Sequence, residues 1–146
     1  MTSAGGTDET LKYSALNSEL LFSRFPELSA QINFELELNG ELPYCLFADV
    51  LNPVLREYFG RHCYSGAKTC RGQKRALKNT DPLIVRIFEF FEELANSGDE
   101  DVRNFLQIGL LEALYDSAEA YNGARLFMGA KTRELFEEVA EYLSKP

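Results

Sequence analysis

The sequence is poor in the residues from which most active sites are assembled: of 146 residues, one is histidine and three are cysteine. With His62 alone, the His-Glu-x-x-His pattern of zinc hydrolases is absent, and a cysteine nucleophile has a single candidate base. Cys45, Cys63 and Cys70 are odd in number and include no Cys-x-x-Cys pair, which fits a reducing compartment better than a disulfide framework. No apolar run approaches the roughly 18 to 20 residues that cross a bilayer, so no membrane span is expected. A Gly-rich phosphate loop is missing too, because GRHCYSG and CRGQK lack the spacing and the strand-to-helix context of one. Positive charge is scarce, with 15 Lys and Arg against 23 Asp and Glu and a net charge of −8. Phosphate contacts are built from Lys and Arg, so direct nucleic-acid binding is disfavoured. The opening MTSAGGTDET has neither the basic nor the apolar region of a secretory signal, which predicts a cytoplasmic location.

What the sequence does contain is amphipathic helix. Its length predicts one domain able to bury a core without metal or disulfide support. The organising stretch is 81–116, read as two helices folded back at Ser97-Gly98. Asp81 is an N-cap with Pro82 at the first helical position. Ile84, Ile87, Phe88, Phe91, Leu94 and Ala95 form one inward stripe, with Glu89, Glu92 and Glu93 largely outside it. Gly98 ends this helix, and Ser97 with Glu100 has capping-box spacing for the next. Val102, Phe105, Leu106, Leu110, Ala113 and Leu114 supply the second stripe. The pair has the form of a single HEAT-type hairpin.

Around it, residues 1–16 read as a flexible tail and 17–146 as the helical domain. A short helix over Leu20, Leu21 and Phe25 is broken at Pro26. Residues 31–38 satisfy two patterns: Ile32, Phe34, Leu36 and Leu38 alternate as in a strand and precede Asn39-Gly40, while Leu28, Ile32 and Leu36 keep helical steps. Helix is the reading adopted, because no partner strand presents itself. Residues 46–59 form a helix interrupted by Asn52-Pro53, as a kink or a new cap, with Gly60 as its stop. A long loop at 61–80 follows, with six basic residues and no acidic one, leaving a balance of −14 on the rest of the chain. Asn122-Gly123 interrupts a short helix or link, and a last helix carries Leu135, Phe136, Val139, Tyr142 and Leu143. The fold class is therefore all-α: a compact domain of about six helices around the central hairpin.

Candidate chemistry is sparse. His62, Cys63 and Cys70 are the one cluster with metal or thiol chemistry, and the adjacent His-Cys pair and six-residue gap match no zinc pattern. No metal and no cofactor are assigned, and Cys45 reads as a small buried apolar residue. Asp99, Glu100 and Asp101 sit where negative charge complements a helix dipole, so capping competes with binding as their explanation. Glu112 and Asp116, one turn apart, line a groove or mark the solvent edge of the helix. Arg71, Lys74 and Arg75 form a second patch, an anionic docking site or a solvated loop.

FSRFPEL, LPYCLFADVLNPVLREYF, FEFFEELANSGDEDVRNFLQIGLLEALYD and FMGAKTRELFEEV, in that order, resemble the blocks of a family of small acidic helical bacterial proteins of unassigned activity, similar to immunity proteins of polymorphic or contact-dependent toxin systems. The resemblance implies a non-enzymatic cytosolic antitoxin that binds one cognate protein toxin and occludes its active site or substrate channel. A basic nuclease would suit the charge. On that reading Asp99, Glu100, Asp101, Glu112 and Asp116 are the expected contacts, with Arg71, Lys74 and Arg75 beside them. The alternative is a HEAT-like adaptor or regulatory module unrelated to toxins.

Overall fold

The computed structural model describes residues 11–63, 75–76 and 81–143, with the backbone alone at 61–63 and 75–76. Seven α-helices lie among them: α1 Ser18–Arg24, α2 Ser29–Asn39, α3 Pro43–Arg61, α4 Pro82–Ala95, α5 Glu100–Asn104, α6 Ala118–Arg125 and α7 Ala130–Leu143. The chain is a single all-α domain, as the apolar periodicity predicts.

α4 is its axis. Asp81 caps it as expected, accepting from the amides of Leu83 and Ile84 at 3.2 and 3.4 Å. The inward stripe is wider than the sequence suggests, because Phe90 is buried as well, edge-on to Phe25 (5.7 Å) and stacked on Phe47 (6.1 Å). Two arginines tie the N-terminal helices to this axis. Arg24 makes a bidentate pair with Glu93 at 2.6 and 2.9 Å, and Arg86 bonds Glu27 and the Arg24 carbonyl. Each guanidinium also lies over a core ring, Arg24 on Phe90 and Arg86 on Phe25.

Several expectations are corrected. Helix α3 runs through Pro53 without a break and past Gly60 to Arg61, so neither residue ends it. Residues 31–38, by contrast, are helical as expected, within α2, which stops at Gly40, whose φ of 70° is the only positive value among the described residues. α6 runs straight through Asn122-Gly123, which is a packing site and no turn. Part of the expected loop is paired: β1 His62–Cys63 lies parallel to β2 Arg75–Ala76. The tail is shorter than expected, since Leu16 is buried and a 3₁₀ turn spans Tyr13–Ala15; residues 1–10 lie outside the described residues. Cys45 is only half-buried.

The turn between α4 and α5 is built differently from a Ser97 capping box. Gly98 does not adopt a positive φ, and Asp99 is the N-cap, accepting from the Asp101 amide at 3.0 Å. Its other oxygen accepts from the Tyr13 amide at 2.9 Å, while the Ser97 hydroxyl donates to the Leu11 carbonyl at 2.7 Å. These bonds moor residues 11–16 to the turn between α4 and α5. Asp99→Ala should therefore loosen both the start of α5 and the N-terminal segment, read as faster amide exchange at Tyr13 and a lower Tm. Unchanged exchange at Tyr13 would contradict the mooring. Beyond Asn104 the second arm leaves α geometry for a π-helical stretch, Phe105–Leu111, and a 3₁₀ turn, Glu112–Tyr115. With an extra residue per turn, Phe105 and Leu110, and likewise Leu106 and Leu111, share a face at five-residue spacing, and all four are buried.

Candidate functional site

Helices α2 and α3 leave a groove of about 420 Å³ between them. Pro43–Arg61 contributes Asp49, Pro53 and Glu57 along one row and Val50 and Val54 along the next, each a turn apart. From α2 come Ala30, Gln31, Phe34 and Glu35. No Lys or Arg is among the lining residues. At the edge of the groove Phe34 is 63% exposed, and beyond it along the chain Leu38, one turn on, and Leu42 are 62% and 53% exposed. Single exposed apolar residues are ordinary, but a ridge of three beside an apolar-floored groove marks a binding surface.

The carboxylates in this groove are unusual. Glu35 is only 6% exposed, yet its described partners are the Asn39 amide, at 2.5 Å from Oε2, and another carboxyl group, that of Asp49. Lost hydration against the groove, and then the hydrogen bond and negative charge of Glu35, push the Asp49 carboxyl above its ordinary range. A carboxyl raised by folding favours the native state most below the unfolded value of about 3.9, and that benefit is lost as pH rises through the folded value. Asp49→Asn should consequently raise Tm at pH 7 and leave it unchanged near pH 3.5. A lower Tm at pH 7 would show that Asp49 supports the fold through some other contact. Pro53 adds a further polar feature, for it has no N–H to return to the carbonyl of Asp49, four residues earlier.

The residues singled out from the sequence are not brought together. Asp99 and Asp116 stand at opposite ends of the α5, π and 3₁₀ run, roughly 25 Å apart along its axis. Asp99 is committed to the Tyr13 and Asp101 amides, and the Tyr13 amide first of all holds its carboxyl below the usual range. Glu100 and Asp101 are exposed on the first turn of α5. Glu112 is half-buried beside the Tyr142 hydroxyl of α7. Asp116 is exposed at the mouth of a second, smaller cavity of about 170 Å³, with Asn52 and Arg56 on its wall. Arg71 and Lys74 lie outside the described residues, as does Cys70, and for Arg75, His62 and Cys63 only the backbone pairing is described. Glu35, Asp49, Phe34 and Leu38 escaped the sequence reading. The signal for Phe34 and Leu38 was the strand-like alternation at 31–38, because apolar residues two apart cannot all face inward on a helix, whereas no local pattern marked Glu35 or Asp49.

The geometry defines a small all-α domain with an acidic, apolar-rimmed groove between α2 and α3. Its family is a domain of unknown function, DUF7674, whose model matches residues 18–144, and the chain belongs to it. The match spans α1 to α7 and so includes both walls of the groove. No curated protein and no solved structure matches the chain. Among the described residues, no helix is long and apolar enough to cross a membrane.

Proposed function

We propose that this protein is an immunity-type inhibitor, a cytoplasmic helical domain that binds and neutralises a basic toxin domain without catalysing a reaction. The observation that carries this reading is the α2–α3 groove, in which an exposed apolar ridge borders carboxylates with no lining base. Apolar contact supplies the affinity of such a surface, and the charge selects and steers the partner. The net charge of −8 extends that field beyond the groove, which speeds encounter with a cationic domain and repels polyanions. A toxin that itself binds nucleic acid fits best, because its phosphate-binding surface is already basic. Association should slow as salt is raised, since charges more than a Debye length apart, about 8 Å at physiological ionic strength, are screened.

Co-expression with a toxin encoded beside the gene tests the proposal. Growth should be restored and the two proteins should co-purify, and Phe34→Ser with Leu38→Ser should abolish both while the far-ultraviolet circular dichroism stays unchanged. A toxin that remains fully lethal and does not co-purify would overturn the immunity reading. A gene remote from any toxin would favour the adaptor alternative.

A further inference from the structure

The carboxyl pair in the groove says more about what binds there. Glu35 is buried, and the group it meets across the groove is a second carboxyl. Burying an acid beside another acid is unfavourable unless a proton or a cation sits between them. In the free protein the described donor to Glu35 is a neutral amide, that of Asn39. The nearby Asp49 carbonyl lacks the helical N–H that Pro53 cannot supply. Two carboxyl groups thus meet in a groove that has no lining Lys or Arg. A guanidinium answers this arrangement better than an ammonium, since it carries five N–H donors in a planar fork and pairs bidentately with carboxylate.

The apolar part of the groove fixes the shape of the ligand. Phe34 lines one side, with exposed Leu38 one turn further along the same helix beyond the groove, and Val50 and Val54 repeat at four residues on the other, so apolar residues recur with the rise of one helical turn. A helix laid along it offers its own i, i+4 side chains at the same spacing.

We infer that the groove binds an amphipathic helix of the partner protein, with an arginine of that helix seated between Glu35 and Asp49 and apolar residues one turn to either side against Phe34 and Leu38. This rests on the protein-binding reading above and specifies its contact. The guanidinium supplies the donors and the positive charge that the groove's own lining lacks, so Glu35 and Asp49 give selectivity while the ridge gives affinity.

The test uses the full chain as bait for a displayed library of random peptides long enough for four helical turns, followed by anisotropy titration of the enriched peptides. Peptides with an arginine flanked at three- and four-residue spacing by apolar residues should be enriched. Their affinity should fall at least about tenfold on E35Q/D49N and on replacing the peptide arginine by alanine, and less on replacing it by lysine. D49N alone guards against misfolding, because Asp49 is exposed and its replacement leaves the Glu35–Asn39 bond in place. Apolar peptides without a base, lost on F34S/L38S and indifferent to E35Q/D49N, would overturn the arginine anchor and leave the groove reading standing. Failure to enrich any peptide that F34S/L38S abolishes would overturn both.

Discussion

Glu92→Ala should be the most destabilising single change on the surface of this domain, at about 3 kcal/mol and a fall in Tm of about 10 °C. Glu92 belongs to α4, yet its carboxylate caps α7: Oε1 accepts from the Thr132 amide (3.0 Å) and hydroxyl (2.7 Å), and Oε2 from the Lys131 amide (3.2 Å) and the Asn96 side chain (3.2 Å). Thr132 is fully buried. Removing the carboxylate therefore costs a cap, about 1 kcal/mol, and also leaves a buried hydroxyl and amide unsatisfied, about 1–3 kcal/mol more. Gly129 makes the approach possible, since a Cβ there would overlap the carboxylate. Gly129→Ala should reproduce much of the loss, and the double variant should be little worse than Glu92→Ala, because both remove the same latch.

The pH dependence of this latch has a definite sign. Burial alone would raise the Glu92 carboxyl, but the amide and hydroxyl of Thr132, with Lys131 and Asn96, hold it below its usual range. A carboxyl lowered by folding stabilises the native state above the unfolded value of about 4.3, and the contribution disappears as pH falls through the folded value. The gap between wild type and Glu92→Ala in urea titrations should be full at pH 7 and narrow below pH 4. A gap independent of pH would mean that packing, and not the charged cap, is what the substitution removes.

Gly123→Ala should destabilise by about 2 kcal/mol, although alanine in a helix normally gains about 1 kcal/mol over glycine. A Cβ at this position would stand 2.6 Å from Cδ1 and 2.9 Å from Cε1 of Phe59. That ring cannot yield, being buried among Tyr58, Phe88 and Phe127 at centroid distances of 5.3, 6.3 and 5.9 Å. Phe59→Leu in the Gly123→Ala background should recover part of the loss, a coupling that a double-mutant cycle by chemical denaturation measures. A neutral or stabilising Gly123→Ala would show that α6 can shift away from α3.

These two sites show where the sequence was readable. The stripes of α4 and α7, the Asp81 cap and the helical class follow from periodicity and local capping, which act within a few residues. Asn122-Gly123 was misread because a dipeptide that suits a turn is indistinguishable in sequence from a glycine kept small for a ring 64 positions away. Glu92 was placed on the outer side of its helix for the same reason, since its partners lie near residue 132. The groove was hidden more deeply. Glu35 and Asp49 belong to different helices, and their meeting depends on how α2 lies along α3. Asp99 was legible as a residue of interest, with capping the better of its two explanations: its carboxylate serves the start of α5 and the Tyr13 amide.

The π-helical stretch at Phe105–Leu111 has a consequence for how this chain tolerates changes in length. A π turn holds one residue more than the α turn it replaces, and the helix beyond it keeps its rotational phase. Deleting Ile108, which is 53% exposed, would let the segment relax to α geometry while Leu114 still faced inward and the Tyr115 hydroxyl still reached the Phe136 carbonyl. The same deletion within α4 would rotate everything downstream by roughly 100° and dismantle the core. The run from α5 to Tyr115 thus carries a spare residue, a place where the reading frame of the fold has slack.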